Sequence, residues 1–177
     1  AALGYALMSY LMTATPLQVV NVSQLGTSAN ASIIQWHVVA MFAPSFFTGS
    51  LIARYGASRI LGLGVIAYIA VIVLALMGDD FWDYFGALFL LGIGWNFLYI
   101  GGSSLVAQVA HPEERGRVQG VADLTMTILV ASASLIAGVV HSQLGWEVMV
   151  LAATLPVFLL MCAVGWLVSH RYYNTQA

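Results

Sequence analysis

WHVVAMFAPSFFTGSLIARYGASR, Trp36 to Arg59, is apolar for most of its length, carries one histidine near its start, and ends on a glycine between two arginines. Val38 to Ala53 approaches the roughly 20 residues needed to cross the hydrocarbon core of a bilayer. A histidine in such a segment is costly unless it faces protein, water or a ligand. Met41 follows His37 by four residues, one helical turn along the same face. Arg54, Gly56 and Arg59 then read as a tight turn at a membrane surface.

The rest of the chain repeats this pattern. Of 177 residues, 61% are hydrophobic and only 7% charged, against about a quarter charged in soluble domains. The expected class is an all-α polytopic membrane protein, a six-helix transmembrane bundle filling residues 1–177 as one domain. The spans are expected at about Ala2–Asn21, Ala31–Ala53, Ile60–Met77, Tyr84–Ala110, Val118–His141 and Val148–Ser169. The connectors are short, so none holds a soluble domain. The single cysteine, Cys162, excludes an intrachain disulfide. With no basic leader and no initiator methionine, the segment is expected to begin inside a longer protein.

Charge position sets the expected orientation. Arg54 and Arg59 follow the second span, Arg115 and Arg117 the fourth, and Arg171 the sixth. All five basic residues therefore fall on one side, which the positive-inside rule makes cytoplasmic, with both ends of the segment there too. Asp79, Asp80, Asp83 and Glu147 fall opposite. Trp82 and Trp146 are expected at the outer interface, and Tyr172 and Tyr173 at the inner one. Pro16, Pro44 and Pro156 each remove a helical hydrogen bond within a span and are expected to kink it. Gly62, Gly64, Gly92, Gly94, Gly101, Gly102 and Gly138 suit close helix approach in lipid.

Gly49-Ser50-Leu51-Ile52-Ala53-Arg54-Tyr55-Gly56-Ala57-Ser58-Arg59 resembles the cytoplasmic loop motif of the major facilitator superfamily, with Ala53 where that motif has an acidic residue. Pro112-Glu113-Glu114-Arg115-Gly116-Arg117-Val118-Gln119-Gly120 resembles the connection before the family's eleventh span. The resemblance implies spans seven to twelve of a twelve-span transporter of the bacterial inner membrane. Its partners would be the lipid bilayer and either the N-terminal six-span half or a second copy. A narrower resemblance rests on Met8-x-x-x-Met12 and His37-x-x-x-Met41, which are similar to motifs of the CcoA-like bacterial copper importers. It implies Met8, Met12, His37 and Met41 as ligands for copper as the transported ion, with no resident cofactor.

The residue chemistry permits that reading, since thioether sulfur and imidazole are soft donors suited to copper. If the first two spans run antiparallel, the two motifs differ in depth by only about a few Å at the helical rise. The alternatives stay open. Methionine fills irregular core gaps, and a buried histidine can simply bond a backbone carbonyl. A carrier of a small organic molecule would instead use Asn96 and Tyr99 to line its cavity, unless these only bond between helices. Asp123, near the start of its span, is expected to pair with Arg117 or Arg115, or to relay protons. Gly49, Arg54, Gly56, Arg59, Arg115, Arg117 and Asp123 are the expected loop and gate residues. A non-transport fragment or self-associating half is the third reading. No nucleotide loop, catalytic triad or Cys–His metal motif is present, so neither an enzyme nor a nucleic-acid partner is expected.

Overall fold

The computed structural model describes residues 1–111 and 113–174, with side chains through 169. Pro112 of the expected fourth-to-fifth connection, and the side chains of Arg171, Tyr172 and Tyr173 expected at the inner interface, lie outside the described residues. Among the described residues there is no strand. The helices are α1 (Ala2–Leu17), a π-helical segment (Gln18–Val22), α2 (Gly26–Phe42), α3 (Ser45–Tyr55), α4 (Ala57–Met77), α5 (Phe81–Val109), α6 (Arg115–Ala152) and α7 (Thr154–Asn174). Three described stretches are each long and apolar enough to cross a membrane: 57–77, 81–109 and 115–169. The pair α2 and α3, bent by 41°, adds a fourth.

The breaks fall where the sequence removes or strains a helical bond. Pro16 has no N–H to give, and the helix continues past it in the wider π geometry of Gln18–Val22. Pro44 separates α2 from α3. Pro156 lies just past Ala153, where α6 gives way to α7. Gly145 breaks α6 with φ 80° and ψ 175°, a conformation that a side chain resists. It divides the 115–169 stretch into two pieces, each long enough for a bilayer. Grouped across these breaks, the helices form six rods.

α5 is the central rod. It packs most extensively on α4, then on α2, and also on α1. The α4–α5 contact is close because Gly94 faces the Tyr68 ring: a Cβ there would lie 2.6 Å from Tyr68 Cδ1. At the α2–α5 contact, a Cβ on Gly92 would lie 2.6 Å from the His37 carbonyl oxygen. α1 packs against α6 and α5 rather than extensively against α2. Tyr68, fully buried, donates its hydroxyl to the Gly4 carbonyl at 2.8 Å, tying α4 to α1.

At one end of the bundle, side chains from the helix ends and connectors form a polar cluster. Tyr84 donates to Asp79 at 2.9 Å and bonds Ser23 at 2.8 Å. Gln18 donates to the Tyr84 hydroxyl at 3.2 Å and accepts from His141 Nε2 at 3.0 Å. Trp82 is exposed, as an interfacial aromatic is. Trp146 is not: it is 7% exposed and donates its indole N–H to the Ala75 carbonyl at 2.9 Å. That carbonyl lies in the last turn of α4, where helical acceptors lack partners.

Candidate functional site

His37 is fully buried, and its Nδ1 bonds the Leu88 carbonyl of α5 at 2.7 Å. Its Nε2 is buried with no hydrogen-bond partner. Met8 and Met41 belong to the buried apolar cluster, and Met12 packs against it. The expectation that α1 and α2 are close antiparallel neighbours does not match the packing: His37 and the Met41 carbonyl are both bonded to α5. The absence of a side chain at Gly92 is what lets α2 settle on α5.

Asn96 is fully buried on α5 and fully engaged. Its Nδ2 donates to the Met41 carbonyl and to Ser45 Oγ, each at 2.7 Å, and its Oδ1 accepts from Thr48 Oγ1 at 2.7 Å. Three of these partners flank Pro44. Asn96 therefore clasps the α2–α3 bend, supplying polar partners where the helical ladder is interrupted. The interhelical role is the one the geometry displays in this conformation.

Tyr99, one turn further along α5, has a different setting. Its ring stacks on Trp95, with centroids 5.0 Å apart and planes at 8°. Tyr5 of α1 meets both edge-on, at 5.1 Å from Trp95 and 6.0 Å from Tyr99. Phe42 approaches Trp95 from α2 at 5.9 Å. Such pairs contribute roughly 0.5–1.5 kcal/mol each beyond area burial. Tyr5 and Tyr99 border a cavity of about 300 Å³ whose other wall is Asp123, Met126, Thr127 and Val130 of α6. This volume is at the lower end for small-molecule sites.

Asp123 is exposed, and its Oδ1 accepts from Gln119 Nε2 at 2.8 Å. The expected pairing with Arg117 or Arg115 is not formed among the described residues. Arg115 bonds the Ala110 carbonyl at 3.4 Å instead. Gln119 stands four residues before Asp123, on the same helical face, whereas Arg117 stands six before and points elsewhere. Thr127 donates its hydroxyl to the Asp123 backbone carbonyl at 2.8 Å.

In the loop motif, Gly56 ends α3 and begins α4 with φ 85° and ψ 148°. Arg54 lies over the Tyr55 ring at 5.3 Å. Gly49 and Arg59 are exposed, as are Arg115 and Arg117.

Sequence reasoning named Tyr99 and Asp123 but treated them separately, and it missed Tyr5, Trp95 and Thr127. The i, i+4 spacings of Trp95 to Tyr99 and Asp123 to Thr127 were the available signals. Which rods face each other was not in them.

An all-helical bundle with apolar rods, proline-broken helices and an aromatic cavity opening among α1, α5 and α6 defines one half of a membrane carrier. The chain belongs to the Major Facilitator Superfamily, whose sequence profile matches residues 1–175. It is 46% identical over 144 residues, 81% of this chain, to the riboflavin transporter RfnT of Brucella anthropi. It is 28% identical over 172 residues, 93% of the chain, to the uncharacterized transporter YddS of Bacillus subtilis. The chain spans 36% and 38% of those two proteins respectively, little more than a third of each. These relatives bear out a transporter half but give no support to the narrower resemblance to copper importers.

Proposed function

We propose that this chain is the substrate-contacting half of a bacterial inner-membrane carrier for a small organic molecule with a flat aromatic ring, of the flavin class. The observation that carries the reading is that the Tyr5 and Tyr99 rings, both packed on the buried Trp95, border a cavity of about 300 Å³. A stacked aromatic wall holds a planar heterocycle by offset stacking. The likeness to a riboflavin transporter points to the same chemistry. Both ends of the segment lie on the cytoplasmic side in this reading, by the arginine bias. The partner half supplies the facing wall, and rocking of one half against the other exposes the cavity alternately.

The copper reading retains one observation, the buried and unpartnered Nε2 of His37. Uptake by proteoliposomes holding the complete transporter separates the two. Under the flavin reading riboflavin accumulates, Tyr99→Ala lowers uptake roughly 3- to 10-fold through lost stacking, and Met41→Leu leaves it unchanged. Copper(I) accumulation that disappears in Met41→Leu, with no flavin uptake, would replace the flavin reading by the copper one.

A further inference from the structure

The two polar residues of the α6 wall have a shared property. Thr127 has one hydroxyl proton, and it is committed to the Asp123 carbonyl at 2.8 Å. What remains at its oxygen is lone pairs. Asp123 as a carboxylate has only acceptor oxygens, and Gln119 occupies Oδ1 at 2.8 Å. Oδ2 has no hydrogen-bond partner among the described residues. Both residues line the same cavity. Four residues apart on one helix, they stand on one face at about 6 Å spacing along the axis.

We infer that α6 forms an acceptor-only wall that reads hydroxyl donors on the ligand, specifically a neutral polyol chain attached to the flat ring. The inference rests on the flavin-class reading above and deepens it. A flat heterocycle offers few donors along one edge, whereas a polyol offers a row of them that can meet two acceptors about a helical turn apart. The same wall disfavours a ligand ending in phosphate. A phosphate brings acceptors and negative charge against the Asp123 carboxylate, and like charges repel. The wall therefore selects the dephosphorylated, hydroxylated form of the ring compound over both its phosphate ester and its chain-less analogue.

Binding to the complete transporter in nanodiscs, read by flavin fluorescence, tests this with three probes. Riboflavin carries ring and polyol, lumiflavin carries the ring with a methyl group in place of the polyol, and flavin mononucleotide ends the polyol in phosphate. The wild-type protein is expected to bind riboflavin at least about 10-fold tighter than either other probe, the scale of one hydrogen bond to a charged group. Asp123→Ala is expected to weaken riboflavin roughly 10- to 100-fold while leaving lumiflavin within about twofold. Thr127→Val, which keeps shape and removes the acceptor, is expected to cost riboflavin about 3- to 10-fold. An unchanged thermal unfolding midpoint in each variant is the control for folding. If Asp123→Ala weakens lumiflavin as much as riboflavin, the polyol inference falls and the ring reading stands. If the wild-type protein binds none of the three, the flavin-class reading falls and takes this inference with it.

Discussion

Asn96 and Tyr99 look alike in the sequence, two polar side chains three apart in an apolar span, and the structure separates them. Asn96 spends its whole amide on the bend at Pro44. Asn96→Ala should therefore act on stability before substrate handling. Interhelical hydrogen bonds in membranes average near 0.6 kcal/mol, but three are lost together here, so a loss of about 1–2 kcal/mol is expected. Thermal unfolding in detergent would register it, and an unchanged midpoint would mean the bend is held by packing alone. Tyr99 borders open space and carries the ligand-facing prediction made above. Neither fate could be read from residue type, because both depend on which helix stands opposite. His141 and Trp146 teach the same point. His141 closes the fifth expected span and Trp146 was expected at the outer interface, yet the two side chains turn inward to Gln18 and to the Ala75 carbonyl. Each side chain found an acceptor that a local reading of the chain could not supply.

At the scale of the helix, the sequence was far more legible. Pro16, Pro44 and Pro156 were expected to interrupt helices, and each lies at or beside a break. The reason is covalent: a missing N–H and a ring clash act whatever the tertiary surroundings. Gly92 was also legible as a close-approach residue, though not what it approaches. A methyl group there would press on the His37 carbonyl oxygen and lie 2.9 Å from the Ala40 Cβ. Gly92→Ala is expected to destabilise the α2–α5 contact by about 1–3 kcal/mol, the usual range for overpacking. Gly62→Ala, where nothing lies within 4 Å of an added Cβ, is the matched control and should be close to neutral. Equal unfolding midpoints for the two variants would overturn this account of α2 packing.

For the whole molecule, composition alone established a helical membrane protein, since so apolar a chain has no soluble solution. What it left open was pairing: a ligand set shared by Met8, Met12, His37 and Met41 needs α1 and α2 to pack closely, whereas both pack on α5. The arginine distribution carries a prediction at this scale. In a Cys162→Ser background, Ser142→Cys is expected to react with a membrane-impermeant maleimide added outside intact cells. Glu113→Cys is expected to react only after permeabilisation, because both positions are exposed and lie at opposite ends of the bundle in the expected topology. The reverse labelling would invert the orientation. Large apolar side chains are also bare on this half, Phe46 at 93% and Leu135 at 77% among them. Acyl chains and the rest of the carrier are the coverings such residues suit.

Gln18 sits in the widened turn after Pro16 with both ends of its amide committed, one to the Tyr84 hydroxyl and the other to His141. Sliding α6 away from α5 at that extremity would break at least one of these two bonds, because Gln18 cannot follow both partners. Hydration offers slow compensation there, because Gln18 is only 5% exposed. A load applied to any of these three rods is thus shared by the others. Motion that opens the carrier on that side should leave this corner intact and find its pivot somewhere else.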